Sequence, residues 1–222
     1  AKETDRPYAW CAVLFLAFQP VFFSTAWSLC TEPLAAFFLA AGLFYFYKKS
    51  FTAAALLLSA VPLARIEMVI LLPFFAVSFF KEKKFMQIFL LGAGLLIFQI
   101  AGMIGTGDWL YLLNASRGFG EGLYQNGPLE HYFLRFIFIV GPVVFVFMML
   151  RLVLDVRERK ITIINVSVVV MFWFHVIMYW KGSGIVVGFL RHFVALAPMM
   201  ALLAVDGLNS WMEGKEKDRM LA

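Results

Sequence analysis

The chain has 222 residues, of which 63% are hydrophobic and 15% are charged, and its formal net charge at pH 7 is +5. Soluble domains carry about 25% charged residues, so this composition excludes an ordinary water-facing surface and favours a chain solvated by lipid. The two cysteines have no metal-ligand spacing, and no P-loop, HExxH or nucleophile-elbow motif occurs. The sequence therefore predicts an all-α integral membrane protein.

The apolar runs of the chain set the number of predicted membrane spans. A spanning helix needs about 20 predominantly apolar residues, and about eight candidates can be read on this basis. In chain order they cover residues 9–29, 33–47, 51–64, 66–80, 85–105, 132–150, 161–180 and 189–208. We therefore predict a polytopic helical bundle in which residues 1–222 form a single transmembrane domain. The third and fourth runs are short, so residues 51–80 could instead form one long kinked helix.

The basic residues distinguish between these two topologies, because Lys and Arg accumulate in cytoplasmic loops. If residues 51–80 cross twice, most of the 19 basic residues fall on one face, which is then cytoplasmic. These residues are Lys2, Arg6, Lys48, Lys49, Lys81, Lys83, Lys84, Arg151, Arg157, Arg159, Lys160, Lys215, Lys217 and Arg219. With a single crossing, the Lys81 cluster would lie opposite Lys48 and Lys49. We therefore expect two crossings.

This sidedness also predicts the location of the protein. It is expected to be a multi-pass integral membrane protein, in the inner or plasma membrane if the source is bacterial, with both ends of this chain cytoplasmic. The basic residues flank apolar runs and form no continuous stripe, so the membrane accounts for the positive charge and nucleic acid is not expected as a partner.

One connection on the predicted outer face is much longer than the others. Residues 105–131 form a polar, Gly-rich segment, and loops of this length are usually functional or disordered. Its aromatic residues, which include Trp109 and Tyr111, favour the membrane interface. We therefore predict a long outer-face loop at 105–131, with an interfacial helix around 107–116.

Ionisable residues near span ends are candidates for function because lipid penalises charge. The candidate substrate-binding residues, all on the predicted outer face, are Glu32, Arg65, Glu67, His131, Tyr132, Arg191 and His192. Glu32 follows Thr31 and precedes Pro33, so it either belongs to a helix start capped by Thr31 or faces an outward cavity. Arg65 should pair with Glu32 or Glu67, because an arginine at that depth needs a counter-ion.

Arg191 and His192 begin the last predicted span. An arginine at an outer helix start opposes both the positive-inside trend and the helix dipole, so a lipid phosphate or an internal carboxylate should compensate for it. His131 and Tyr132 lie at the end of the long loop. There are two interpretations of them: hydrogen-bonded residues at the membrane interface, or residues that bind a substrate. His175 lies in the middle of an apolar run and is expected to be a packed, neutral histidine.

Several segments of the sequence resemble a known family of membrane enzymes. TEPLAAFFLAAGLFYFYKKS, followed by FTAAALLLSAVPLARIEMVILLPFF, resembles the central helices of GT-C superfamily membrane glycosyltransferases, which use dolichyl- or polyprenyl-phosphate sugars, as the mannosyltransferases do. Glu32-Pro33 matches an acid-Pro pair of that family, and Arg65-Ile66-Glu67 matches its Arg-x-Glu-like turn. GPLEHYFLRFIFIVGP and GFLRHFVALAPMMALLAVDGL are similar to its late helices, with Arg191 and Pro198 at matching positions.

The resemblance implies an enzyme with a catalytic acidic loop between its first two spans. Nothing in this sequence matches that loop, and by this resemblance Ala1 corresponds to the start of the third span. We therefore expect a fragment of a longer chain, and the catalytic residues stay unknown. A divalent metal is expected, if at all, near the missing acidic loop, because no complete set of metal ligands and no cofactor site is visible in these residues.

The resemblance also implies the reaction. The chain would be a portion of an enzyme that transfers a hexosyl group from a polyprenyl-phosphate-linked donor to a lipid, glycan or protein acceptor on the outer face. The alternatives are a multi-span transporter or flippase, and a non-catalytic membrane scaffold. A transporter would favour mid-membrane charges and an internal repeat, and the repeat is not evident. A scaffold would bind no donor lipid.

Overall fold

The computed structural model of the chain describes the backbone of residues 8–28, 30–117, 126–182 and 188–221, and their side chains except at 115–117 and 214–221. Every element in these residues is helical, as predicted. In chain order the α-helices are α1 Cys11–Ala17, α2 Pro20–Ala26, α3 Glu32–Tyr47, α4 Phe51–Ala64, α5 Leu72–Lys81, α6 Phe85–Leu90, α7 Ala93–Thr106, α8 Tyr111–Arg117, α9 His131–Val140, α10 Pro142–Arg157, α11 Ile163–Trp180 and α12 Ala197–Leu221. Two 3-10 helices, Ile66–Leu71 and Leu190–Leu196, precede α5 and α12.

Three of the predicted spans are helices long and apolar enough to cross a membrane. Within the described residues these are Phe85–Thr106, Ile163–Trp180 and Leu190–Glu213, close to the predicted bounds 85–105, 161–180 and 189–208. Helices α3 and α4 have 16 and 14 residues, so at 1.5 Å per residue each is about 21 to 24 Å long and shorter than a hydrocarbon core. A membrane protein is therefore supported, and the number of eight spans stays a prediction.

Residues 51–80 form a hairpin. Lys49, just before α4, and Glu82, just after α5, form an ion pair with a distance of 2.7 Å between Nζ and Oε1. The rings of Phe46 and Phe79 pack edge to face at 5.3 Å at the same end. The two ends of the segment therefore lie together, which contradicts the alternative of one long kinked helix that crosses once.

Two other predicted spans are broken. The run 9–29 is divided at Gln19, which is extended (ψ 120°) as expected for a residue before proline. The run 132–150 is divided at Gly141, where α9 and α10 meet at 111°. Gly141 has φ +81°, which suits glycine, and Pro142 has no amide hydrogen to continue α9. The expectation of one continuous helix in each of these runs is therefore not met.

The 3-10 helix Leu190–Leu196 continues directly into α12, and together they make the last helical stretch of the chain. This last helical stretch forms the centre of the bundle. Helices α1 and α10 pack along α12, and α3 packs against the 3-10 helix Leu190–Leu196. The buried Gln19 Nε2 donates a hydrogen bond of 2.8 Å to the carbonyl oxygen of Ala197, which ties the break between α1 and α2 to the start of α12. At the other end, Arg151 donates to Ser210 Oγ at 3.0 Å and pairs with the buried Asp155 at 2.5 Å.

The predicted outer loop contains a helix. Helix α8 begins at Tyr111, within the region where an interfacial helix was predicted, and residues 118–125 of the loop lie outside the described residues. Asp108 accepts hydrogen bonds of 2.9 Å from Asn114 Nδ2 and from the Leu110 backbone, and these bonds lower the pKa of its carboxyl group below the usual value. Asp108 therefore organises the start of α8.

Helices α4 and α7 approach so closely that their contact requires glycine. A Cβ atom added at Gly94 would lie 1.8 Å from the carbonyl oxygen of Ser59, whereas one added at Gly105 would meet no atom within 4 Å. Gly94→Ala is therefore expected to destabilise the protein by about 3 kcal/mol or more, because the two backbones must separate. Gly105→Ala in the same helix should stabilise it by about 0.5–1 kcal/mol.

Thermal unfolding in detergent, followed by tryptophan fluorescence, measures both variants. Equal melting temperatures for Gly94→Ala and Gly105→Ala would contradict the close packing of α4 on α7.

Candidate functional site

Arg65 lies where the chain passes from α4 into the 3-10 helix Ile66–Leu71. Its backbone is extended (φ −146°, ψ 105°), which ends α4 and brings the side chain of Arg65 beside that of Glu67, two residues later. Arg65 Nε donates to Glu67 Oε1 at 2.6 Å, and Arg65 Nη1 donates to Glu32 Oε1 at 2.9 Å. The predicted ion pair is therefore confirmed, and Arg65 pairs with both of the expected carboxylates.

Glu32 connects the two arginines of the site. One oxygen, Oε1, lies 2.9 Å from Arg65 Nη1 and 3.3 Å from Arg191 Nε. The preceding Thr31 makes no side-chain capping bond, so of the two alternatives for Glu32 the helix start capped by Thr31 is wrong. The carboxylate of Glu32 therefore pairs with both arginines. Its contact with Arg191 joins the start of α3 to the first residues of the last helical stretch.

Glu32, Arg65, Glu67 and Arg191 form an ionic cluster, and its members differ in how deeply they are buried. The side chains of Glu32, Glu67 and Arg65 are 3%, 5% and 16% exposed, whereas that of Arg191 is 47% exposed. Arg191 also lies over the ring of Phe189 at 4.7 Å, and its Nη1 is 4.0 Å from Cys30 Sγ. Of the two compensating anions predicted for Arg191, the structure therefore provides the internal carboxylate, which Arg191 shares with Arg65.

His192 completes the cluster on the buried side. Its Nδ1 contacts Arg65 Nη2 and lies 3.6 Å from Glu67 Oε1. A guanidinium only donates hydrogen bonds, so Nδ1 must present its lone pair to Arg65. The structure therefore brings together five of the seven candidate residues, Glu32, Arg65, Glu67, Arg191 and His192, although they lie in three distant parts of the sequence.

His131 and Tyr132, the other two candidates, lie beside the cluster in an aromatic group. His131 Nε2 is 2.9 Å from the carbonyl oxygen of Gly188, and its ring is 4.6 Å from that of Tyr179. Tyr132 is fully buried and packs edge to face on Phe193 at 5.2 Å. This group therefore connects the end of the outer loop, at the start of α9, to the residues that follow Arg191.

His175 lies beside the cluster, although the sequence predicted only a packed, neutral histidine at this position. It is fully buried, its ring lies 5.6 Å from that of His192, and it is one of three buried residues, with Glu67 and His192, whose ligand atoms lie within 4.8 Å of one another. Helix α11 places it next to the 3-10 segments that carry the other two. Its position in the middle of an apolar run was the available signal, because polar groups at that depth are costly.

The site as a whole combines a buried interior of two carboxylates and one guanidinium with one half-exposed cation, Arg191, which balances the charge. Two carboxylates face two guanidiniums, and the half-exposed Arg191 is the member that an anion from outside can reach. Comparison with protein-family models, with curated proteins and with solved structures finds no match to this chain. We therefore infer the function from the chemistry of these side chains.

Proposed function

We propose that this chain is a portion of a GT-C-like membrane glycosyltransferase with about eight spans. It would transfer a sugar from a polyprenyl-phosphate-linked donor to a lipid, glycan or protein acceptor on the outer face. The observation that supports this most is Arg191. Its guanidinium is half exposed at the start of the last helical stretch, and it shares its one carboxylate contact with Arg65.

Arg191 has the properties of a phosphate-binding residue. Its Nε atom lies 3.3 Å from Glu32 Oε1, an oxygen that also pairs with Arg65, and a guanidinium binds phosphate oxygens through two parallel hydrogen bonds. The ring of Phe189 and the contact with Glu32 limit the positions that the side chain can adopt. A prenyl tail would lie on the exposed apolar residues of α11, such as Trp173 and Ile177. His131, Tyr132 and the long loop would shape the pocket for sugar or acceptor.

The proposed reaction also needs a general base, which would come from the acidic loop that the family resemblance implies. A carboxylate outside these residues would take the proton of the acceptor hydroxyl. The acceptor oxygen would then bond to the sugar's anomeric carbon as the bond from that carbon to the phosphate oxygen breaks. Arg191 would stabilise the charge that develops on the departing lipid phosphate. Arg65 is a positioning residue in this scheme, because it holds Glu32 and with it Arg191.

The test of the proposal is a transfer assay with the full-length protein in proteoliposomes, using a radiolabelled polyprenyl-phosphate sugar and a membrane extract as the acceptor source. Label in a product that no longer contains the polyprenyl phosphate is the expected result. Solute counterflow with no covalent product would favour a transporter, and neither product nor donor binding would favour a scaffold.

A further inference from the structure

We infer that Glu67, His175 and His192 form a binding site for one divalent transition-metal ion of the Zn²⁺ class. Each residue contributes one ligand atom, all three are buried, and the ligand atoms lie within 4.8 Å of one another. Two imidazoles and one carboxylate are a ligand set that Zn²⁺ accepts, and three protein ligands leave a coordination position for an exogenous oxygen.

The nitrogens of His175 support this inference independently of the spacing of the ligand atoms. His175 Nδ1 lies 2.7 Å from the carbonyl oxygen of Met171, so it carries the proton and the lone pair is on Nε2. That Nε2 lone pair is buried without a hydrogen-bond partner among the described residues. Buried polar atoms are costly when unpaired, and an imidazole held by a backbone carbonyl at its other nitrogen is the usual arrangement of a metal ligand.

Arg65 is the group that competes with a metal ion at this position. It contacts both Glu67 Oε1 and His192 Nδ1, so its guanidinium supplies the positive charge there. When an ion binds, Arg65 keeps its hydrogen bond to Glu32 at 2.9 Å and gives up the nitrogen of His192. The ion makes the cluster positive, because two arginines and two carboxylates are otherwise balanced, so the open coordination position favours an anionic oxygen ligand.

The sequence could not show this site because its ligands come from three separate elements. Glu67 and His192 lie in the two 3-10 helices, and His175 lies in α11. The inference goes beyond the proposed glycosyl transfer and does not rest on it, since the ion binds to residues of this chain without a donor lipid.

Zinc content after removal of free metal tests the inference directly. The chain, purified with a tag that contains no histidine, is stripped with EDTA, equilibrated with Zn²⁺, desalted and analysed by elemental mass spectrometry. About one zinc per chain is expected for the wild type, because a single ligand set is available. The chain has three histidines, so His131→Asn is a matched control that should keep the zinc, while His175→Asn and His192→Asn should lose it.

A gain-of-signal variant covers the case in which the asparagine variants fold poorly. His192→Cys, in a Cys11→Ser and Cys30→Ser background, replaces one ligand with a thiolate and should give a new sulfur-to-metal charge-transfer band when Co²⁺ is added. No zinc in the wild type, zinc retained by His175→Asn and His192→Asn as by His131→Asn, or Co²⁺ spectra without this band would each overturn the site.

Discussion

Arg65→Met is expected to destabilise the folded protein by about 3–5 kcal/mol, because it leaves two buried carboxylates facing each other without their shared cation. Glu32 and Glu67 both accept hydrogen bonds from the guanidinium of Arg65, and both are almost fully buried. For a chain of this length the loss corresponds to a fall in melting temperature of about 6–20 °C. Thermal unfolding in detergent micelles, followed by tryptophan fluorescence, measures it.

Two further variants make this prediction specific to the buried cluster. Lys49→Met removes the cation of the exposed pair with Glu82, and should change stability by about 1 kcal/mol or less. The triple variant Arg65→Met, Glu32→Gln and Glu67→Gln removes the unpaired charges and should recover much of the loss. If Arg65→Met unfolded at the same temperature as Lys49→Met, Arg65 would not be the buried counter-ion of these carboxylates.

Arg191→Ala is expected to lower the rate of sugar transfer by about 10²–10³-fold in the full-length protein without preventing membrane insertion. The expectation follows from the exposed position of its guanidinium and from the charge that a departing lipid phosphate would develop. Only one edge of Arg191 contacts Glu32, at 3.3 Å, so the fold depends on it less than on Arg65. Initial transfer rates in membranes that contain equal amounts of each protein measure the effect.

The control for this prediction removes a distant positive charge. Arg157 ends α10, six residues after Arg151, whose side chain donates to Ser210 Oγ, and Ser210 lies about 30 Å along the last helical stretch from Arg191. Arg157→Ala should leave transfer unchanged, and Arg191→Lys should retain part of the rate because it keeps the charge but not the paired donors. Unchanged transfer by Arg191→Ala would remove Arg191 from the site.

The ionic cluster could be predicted from the sequence because charge has few stable places in an apolar chain. A buried arginine requires a carboxylate, and Glu32 and Glu67 were the available partners at the same end of their helices. The sequence left open which carboxylate Arg65 would take, and the structure shows that it takes both. It also left open whether phosphate or carboxylate meets Arg191, and Glu32 provides the carboxylate.

Helix direction was harder to predict than helix content. An apolar run indicates that a segment lies in lipid, but it does not show where the helix bends or breaks. The divisions at Gln19 and Gly141 therefore did not follow from composition. The dipeptides Gln19-Pro20 and Gly141-Pro142 were the signal, since a residue before proline leaves the helical region. Conversely, the basic residues that flank 51–80 predicted the hairpin that the pair between Lys49 and Glu82 now supports.

His175 was assigned a packed, neutral role because a lone histidine among aromatic residues gives no sequence spacing to interpret. Its packing against Phe174 and Phe193 agrees with that role. Its proximity to Glu67 and His192 depends on how α11 meets the two 3-10 helices, which is a tertiary contact. Local patterns cannot encode such a contact.

Binding of the donor lipid shows whether Arg191 holds a lipid-linked phosphate. Polyprenyl monophosphate is titrated into the wild-type chain and the Arg191→Ala and Arg157→Ala variants in phosphatidylcholine nanodiscs, and the bound lipid is quantified by native mass spectrometry. If Arg191 holds the phosphate, we expect saturable binding that Arg191→Ala weakens about tenfold or more and Arg157→Ala does not, with no competition from the uncharged polyprenol. Equal binding by all three proteins, or equal competition by the polyprenol, would contradict it.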